Sequence, residues 1–322
     1  MDEPGRDLIV VVGPTASGKS DLSIHLARRF SGEIVGVDSA QVYSGLDAAT
    51  GKPHLQARDE IRHHLIDVAE PGRDFSAGDF ARLAESAIGE IRRAGKRPIL
   101  VGGTGLYLRA LLRGLTDLPV RDAGLRSALR RWSSGRDERS LHRLLESLDP
   151  PAAAAIPPRD TQRIVRALEV FFVTGARFSA LIASPPSPSD RFSSIKIGLT
   201  APRDVLAGRI ERRAESFFAS GLVDEVRRLL AMGVPASANC FKALGYREVL
   251  AHLQGGIDLP GTVALVKRNT RRYAKRQMTW FRREPGVLWF EFREHPEERF
   301  ADIEKAIAVR MDAPGESLDG HR

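Results

Sequence analysis

A glycine-rich segment near the amino terminus carries the strongest chemical signal in the sequence. It matches the phosphate-binding pattern G-x-x-x-x-G-K-[ST] and reads Gly13, Pro14, Thr15, Ala16, Ser17, Gly18, Lys19 and Ser20. An apolar run at residues 8–12 precedes it and a helical pattern follows. In that context backbone N–H groups converge on an anion, the helix N-terminus adds partial positive charge, and Lys19 reaches the terminal phosphates. The segment predicts a phosphate-binding loop, with Ser20 placed to ligate Mg²⁺.

The carboxylate that usually holds the metal beside such a loop is not where it is expected. In nucleoside triphosphate enzymes an apolar strand ends in an aspartate with that role. Here the predicted strand at residues 98–101 is followed by Gly102, Gly103, Thr104 and Gly105, although the run at 64–67 offers Asp67 as a second candidate. A loop that grips phosphates beside a hydroxyl and glycines suits a diphosphate leaving group equally well.

Another carboxylate, Asp38, follows the second predicted strand at residues 33–37. Ligands of open α/β sheets bind outside the carboxyl ends of the strands, so we expect Asp38 near the loop as a base or metal partner. The alternative is that Asp38 and Ser39 cap the next segment. The motif by itself leaves both interpretations open.

The order of elements predicts an α/β fold, a P-loop NTPase-like parallel sheet flanked by helices, because short β-rich runs alternate with helical patterns. From residue 117 to 193 the β-rich runs stop, proline pairs appear, and helical periodicity takes over up to a Ser/Pro-rich linker at 184–189. We therefore expect residues 1–116 and 194–322 to form the catalytic core and 117–193 a mainly helical insertion. The tail from residue 312 is expected to be disordered.

Composition narrows the class of protein. The chain has 322 residues, 42% of them apolar, and its longest apolar run is far shorter than a membrane span requires. A single cysteine, Cys240, excludes an internal disulfide and a cysteine-cluster zinc site. We expect a cytoplasmic protein without membrane contact.

The net charge of +8 is concentrated rather than spread. Residues 259–283 include no acidic residue and eight basic ones, among them Arg272 and Lys275. Helical spacing places Arg272 and Lys275 on one stripe, while Val266, Tyr273 and Trp280 lie on another that we expect to be core. The basic stripe predicts phosphate contacts with a polyanion such as nucleic acid.

Six blocks, taken in order, resemble the tRNA dimethylallyltransferases, also called tRNA isopentenyltransferases. The blocks span residues 13–20, 38–43, 102–107, 162–169, 243–246 and 273–281. Each block after the first is weak evidence alone, but their order and spacing fit over nearly the whole chain. Members of that family transfer the five-carbon group of dimethylallyl diphosphate to N6 of the adenosine 3′ of the anticodon and release diphosphate with Mg²⁺.

The resemblance assigns the chemistry to particular residues. It implies that Lys19, the loop amides, Ser20-bound Mg²⁺ and Arg213 stabilise the departing diphosphate, that Asp38 is the general base, and that Thr104 orients N6 or a diphosphate oxygen. For Arg213 the alternative is a solvated charge on a basic helix. The implied partners are the tRNA anticodon stem-loop and dimethylallyl diphosphate, and we expect a monomer.

The same resemblance implies the tRNA contacts. They are Asp38, Ser39, Ala40, Gln41, Thr104, Arg126, Gln162, Arg163, Ile164, Val165, Arg166, Phe241, Lys242, Ala243, Leu244, Gly245 and Tyr246, with Arg272 and Lys275 on phosphates. For residues 162–166 the alternative is a solvated amphipathic helix. Lys242 stands where many members have Gln, and no Cys/His zinc finger follows Arg283, which indicates a bacterial-type enzyme.

Two other functions remain open on the sequence alone. One is an ATP-dependent small-molecule kinase that uses the same loop, with Asp38 activating a hydroxyl. The other is a nucleotide-gated RNA-binding protein that acts through the basic helix.

Overall fold

The computed structural model describes residues 8–116, 118–119, 122–183, 191–291 and 296–312. The expected insertion boundary at residue 117, the linker at 184–189 and the tail beyond residue 312 lie outside the described residues. No described helix combines the length and the apolar character that crossing a membrane requires.

A parallel sheet forms the centre of the larger unit. Its strands are β1 Leu8–Val12, β2 Gly32–Val37, β3 His63–His64, β4 Arg97–Gly102, β5 Ser194–Thr200 and β6 Val287–Glu291. They lie in the order β3-β2-β4-β1-β5-β6, and each neighbouring pair is parallel. The central strands are apolar on both faces because helices cover both, as in other doubly covered parallel sheets.

Helices connect the strands and flank the sheet. In the larger unit they are α1 Lys19–Arg29, α2 Leu55–Glu60, α3 Ala77–Arg93, α4 Gly105–Arg113, α10 Arg203–Ala219, α11 Leu222–Ala231, α12 Tyr246–Leu253, α13 Leu259–Phe281 and α14 Pro296–Asp312. One core layer packs α1 and α14 against Ile9, Val11 and Ile99. The opposite layer, with Leu8, Val10 and Leu100, holds α3, α4 and the helices from α10 to α13.

Local signals in the sequence explain where several helices begin and end. Ser76 and Asp79 form a reciprocal capping box at the start of α3. Asp258 caps α13, so this helix begins at Leu259. Gly221 adopts a φ of 83° and separates α10 from α11.

Residues 113–189 form a second compact unit, described here by itself. It contains the helices α5 Ala123–Ser133, α6 Ser140–Leu148, α7 Pro150–Ala155, α8 Thr161–Thr174 and α9 Phe178–Ile182. Apolar side chains from α5 to α8 fill its core, with Leu145 and Leu168 fully buried. The sequence analysis expects this insertion at residues 117–193, so the compact unit begins and ends four residues earlier than expected.

Glu169 in α8 is a buried charged residue at the centre of this smaller unit. Its carboxylate accepts hydrogen bonds from Arg126 Nε at 2.7 Å, Arg166 Nη1 at 2.6 Å and the Asp122 amide at 2.8 Å. Burial raises the pKa of Glu169, but these hydrogen bonds outweigh it and hold the pKa below its ordinary value. The carboxylate therefore ties α5 to α8.

The close approach of β2 and β4 requires a glycine at position 102. A Cβ on Gly102 would lie 2.0 Å from the Val37 carbonyl oxygen, and a backbone atom inside a sheet has little freedom to shift. We expect Gly102→Ala to lower the free energy of unfolding by about 1–3 kcal/mol, as overpacking does. Chemical denaturation should detect this, with Gly89→Ala as the control because a Cβ there meets no atom within 4 Å. Equal stability of the two variants would contradict the constraint.

Candidate active site

A cavity of about 390 Å³ opens at the carboxyl ends of β1, β2 and β4. The glycine-rich loop forms one wall, and Asp38, at the end of β2, forms another. Arg213 from α10 and Tyr273 and Gln277 from α13 also line it. Residues from distant parts of the chain therefore surround one space, at the edge where parallel sheets bind ligands.

The phosphate-binding loop connects β1 to α1 and has the backbone conformation its glycines predict. Gly13 has a φ of 141°, and a Cβ there would lie 2.4 Å from the Leu199 carbonyl oxygen. Gly18 has a φ of 87° and leads into α1. The Thr15 amide donates a hydrogen bond of 2.8 Å to Gln277 Oε1, which links the loop to α13. The loop ends at the N-terminus of α1, where an anion is favoured.

Lys19 is the cation of this loop and lies folded back upon it. Its Nζ donates to the carbonyl oxygens of Gly13 at 3.0 Å and Pro14 at 2.7 Å. Burial, followed by the positive charge of Arg213, lowers the Lys19 pKa to about 7, while Asp38 raises it. An anion bound in the loop favours the charged form, so the amine is set to take up a proton when a phosphate group arrives.

Asp38 makes the capping contacts that one interpretation of its sequence context predicts. Its Oδ1 caps the following turn by accepting hydrogen bonds from the Ala40 amide at 2.8 Å and the Gln41 amide at 3.3 Å. The side chain also lines the cavity. Burial raises its pKa above the ordinary value, against the two backbone hydrogen bonds and the charges of Lys19 and Arg213. This carboxylate is oriented, partly desolvated and next to the phosphate loop.

Thr104 is linked to the segment that follows β2 by a contact with Ser39, the residue after Asp38. Its Oγ1 accepts a hydrogen bond of 3.1 Å from the Ser39 amide, and its hydroxyl also bonds with Tyr273. Burial and the charge of Asp38 raise the Tyr273 pKa, so this phenol stays protonated and can donate. Sequence periodicity predicts Tyr273 as a core residue, but it lines the cavity. Only the position of α13 reveals this.

Two arginines of α10 reach the cavity. Arg213, assigned from the family resemblance, packs against Gly51, where a Cβ would lie 2.0 Å from its Nη2. Burial lowers the pKa of Arg213, whereas the negative charge of Asp38 raises it. Arg209, one helical turn earlier, also lines the cavity, with Nη1 3.5 Å from the Ala16 carbonyl oxygen. Sequence reasoning missed Arg209, although the four-residue spacing from Arg213 places both on one helix face.

The residues available to a metal are few. Ser20 lines the cavity at the first turn of α1, as a ligand in a phosphate loop does. Among the described residues no group of three or more His, Cys, Asp or Glu side chains is arranged to hold an ion. Hard oxygen donors from a bound diphosphate, together with Ser20, fit Mg²⁺ better than a cage of protein side chains does.

The residues expected to contact tRNA are divided between the surface and the cores. Those with exposed side chains are Ser39, Gln162, Arg163, Lys242, Arg272 and Lys275, and those that are half-buried are Asp38, Ala40, Gln41, Thr104, Arg126, Arg166, Ala243 and Leu244. The buried ones are Ile164, Val165, Phe241, Gly245 and Tyr246.

The buried members of this set have packing roles that the sequence did not reveal. Ile164 and Val165 belong to the core of residues 113–189. Tyr246 is fully buried and its hydroxyl donates a 2.5 Å hydrogen bond to Glu225, whose carboxylate also accepts from the Asp47 and Ala48 amides. In this structure these side chains are buried and do not face solvent. Their roles in tRNA binding stay predictions.

Comparison with known proteins decides the family. A family model described as IPP transferase matches residues 41–284. The tRNA dimethylallyltransferase of Geobacter metallireducens is 47% identical over 291 residues, which cover 90% of this chain and 94% of that protein. The chain belongs to the IPP transferase family. The resemblance inferred from the six blocks is thereby confirmed. The match to the family model begins after the phosphate loop, which its motif and its geometry identify.

Solved structures agree with this membership. A tRNA isopentenylpyrophosphate transferase from Bacillus halodurans aligns with a TM-score of 0.71 and 38% identity, covering 95% of this chain and 97% of that one. A eukaryotic dimethylallyltransferase acting on tRNA aligns with a TM-score of 0.79 and 27% identity over 95% of this chain and 78% of that one. The predicted fold class, a P-loop NTPase-like parallel sheet flanked by helices, is confirmed.

The Lys19 pKa near 7 leads to a measurable proton balance. At pH 8 the amine is mostly neutral, and a bound diphosphate favours its charged form. We expect wild-type protein to take up about one proton more than Lys19→Met when inorganic pyrophosphate binds at this pH. Calorimetry in buffers of different ionisation enthalpy measures the difference. Equal uptake by the two proteins would contradict this prediction, because it would mean that pyrophosphate binding leaves the protonation of Lys19 unchanged.

Proposed function

We propose that this protein transfers the dimethylallyl group of dimethylallyl diphosphate to N6 of the adenosine 3′ of the anticodon in tRNA, releasing diphosphate. The observation that carries the proposal is the shared cavity of the phosphate loop and the Asp38 carboxylate. The family membership supports tRNA as the acceptor. The expected monomer stays a prediction, as does the cytoplasmic location.

The loop end of the cavity suits a departing diphosphate. When the C–O bond to the allylic carbon breaks, negative charge accumulates on the diphosphate oxygens and the carbon becomes cation-like. The loop amides, the N-terminus of α1, Lys19 and Arg213 converge where that charge develops. Mg²⁺, held by Ser20 and the diphosphate, would supply further charge neutralisation. The burial of Lys19 and Arg213 strengthens the interactions of these two cations with the diphosphate.

Asp38 is suited to receive the proton that N6 loses. The exocyclic amine is a weak nucleophile, but its N–H becomes acidic as the new C–N bond forms, so a carboxylate within hydrogen-bond reach suffices as base. The raised pKa of Asp38 brings its basicity closer to neutral pH. Thr104 and Tyr273, hydrogen-bonded to each other beside it, offer hydroxyls that orient the adenine. The adenine must leave its stacked position in the loop to reach them.

The decisive test mixes purified protein, dimethylallyl diphosphate, Mg²⁺ and unmodified tRNA without ATP, then digests the tRNA and measures N6-prenylated adenosine. We expect Asp38→Asn to lower the rate by at least about 100-fold, the contribution of a general base, while tRNA binding persists. Asp59→Asn, at an exposed aspartate outside the cavity, is the matched control. Normal turnover by Asp38→Asn would refute its role as base. Absence of product from the wild type, with ATP consumed on a small alcohol, would favour a kinase.

The exposed basic side chains of α13 should provide phosphate contacts rather than base recognition. Neutralising both residues, as in Arg272→Gln with Lys275→Gln, should weaken binding of different tRNAs by a similar factor. The log–log slope of affinity against salt should fall by about two, since each contact releases about one counterion. Filter binding over a salt series measures this, with Lys305→Gln on α14 as the control. An unchanged slope would mean that these two side chains do not meet phosphates.

A further inference from the structure

The last described helix, α14, places a buried arginine against the phosphate loop. Only 3% of the surface of Arg299 is exposed. A Cβ on Gly18, the glycine that precedes Lys19, would lie 3.1 Å from Arg299 Nη2. The guanidinium therefore contacts the loop where α1 begins. Gly18 lines the cavity and Arg299 does not, so this arginine approaches the loop from outside the cavity.

The packing of α14 on α1 fixes this arginine in place. Ile303 and Ile307 follow Arg299 at four-residue intervals, so the three side chains lie on one face of the helix. Both isoleucines are fully buried in the core layer that also holds α1. Beside this face, Glu304 accepts a hydrogen bond of 3.1 Å from Arg29 Nε, at the last residue of α1. Thus α14 follows α1 along its length, with Arg299 at the end that adjoins the loop.

This position is electrostatically unfavourable for a cation. The N-terminus of a helix carries partial positive charge, which favours anions over cations. Burial lowers the pKa of Arg299, the charge of Arg209 lowers it further, and the charge of Asp21 raises it. Arg209 lines the cavity, so two arginines approach the loop from α10 and α14. Asp21 is exposed, and water screens its charge. An anion bound in the loop would bring negative charge close to both arginines.

We propose that Arg299 is a positioning residue for the diphosphate, holding the loop at Gly18 and adding its buried charge to the field that binds the anion. The inference rests on the proposed function for the identity of that anion and assigns α14 a part in the same site. Lys19 and Arg213 line the cavity, whereas Arg299 acts through the loop. The family model ends at residue 284, so α14 lies beyond the matched region.

The test measures the binding of inorganic pyrophosphate by calorimetry in wild type, Arg299→Gln, Arg299→Lys and Lys305→Gln. Loss of the charge in Arg299→Gln should weaken binding by about 10-fold, as expected for one charge near an anion at an effective dielectric constant of about 20. Arg299→Lys keeps the charge without the planar fork and should bind within about threefold of wild type. Lys305→Gln removes an exposed charge from the same helix and should leave the affinity unchanged.

Steady-state kinetics should show that the charge acts on the donor rather than on tRNA. In the prenyl transfer assay, Arg299→Gln should raise the KM for dimethylallyl diphosphate by about 10-fold and leave the KM for tRNA unchanged, because donor binding is what it weakens. Thermal unfolding checks that each variant is folded. Arg299→Met, whose apolar side chain suits a buried position, replaces the glutamine if that variant is unstable.

The wild-type protein allows a measurement that needs no substitution. If docked Arg299 favours the anion, the anion must favour the docked arrangement by the same free energy. Pyrophosphate should therefore slow hydrogen exchange of the α14 amides, which reports local opening of the helix. Unchanged exchange in α14 would contradict the coupling between this helix and the loop.

Two binding results would also overturn the proposal. One is wild-type affinity for pyrophosphate in folded Arg299→Gln. The other is an equal loss of affinity in Arg299→Gln and Arg299→Lys, because the charge would then not be the cause. The calorimetry and hydrogen exchange use pyrophosphate without tRNA, so they stand apart from the proposed function, whose failure appears as absence of prenylated tRNA in the wild type.

Discussion

The site depends on two half-buried cations, Lys19 and Arg213, that lie near the Asp38 carboxylate. The charge of Arg213 lowers the pKa of Lys19, whereas the charge of Asp38 raises the pKa of both cations. Charges removed from water are costly unless compensated, and one carboxylate compensates two cations incompletely. A bound diphosphate supplies the missing negative charge. The cavity is therefore electrostatically complementary to an anion.

Close backbone packing makes this concentration of charge possible. Arg213 lies against Gly51, and Gln277 lies against Gly103, at positions where a Cβ would come within 2.0 Å and 1.9 Å of their nitrogens. Gln277 then spans the site, accepting from the Thr15 amide and donating to the Gly103 carbonyl oxygen at 3.1 Å. One buried amide thus holds α13 against both the phosphate loop and the segment that carries Thr104.

The helix α13 serves the site on one face and solvent on the other. Its buried face includes Gln277 and Phe281. Just beyond the end of α13, Glu284 forms an ion pair of 2.7 Å with Lys196 of β5, which fixes the chain there. Its exposed face includes Arg272 and Lys275. In residues 113–189, Glu169 holds Arg126 and Arg166 in a comparable way, so part of the basic character near α8 is engaged in packing.

The sequence by itself determined the features that depend on neighbouring residues. Motif spacing and glycine conformation determined the loop from Gly13 to Ser20 and the turn after Asp38. Hydrophobic periodicity determined the parallel sheet and the basic face of α13. Only the tertiary structure decided which distant groups share the cavity, such as Thr15 and Gln277, which are 262 residues apart. It also decided that Tyr273 and Arg209 face the site and that Tyr246 does not face solvent. A repeating pattern tells which face of an element turns inward, but it does not tell whether that face meets a core or a cavity, because both lie on the side that is turned away from the surface.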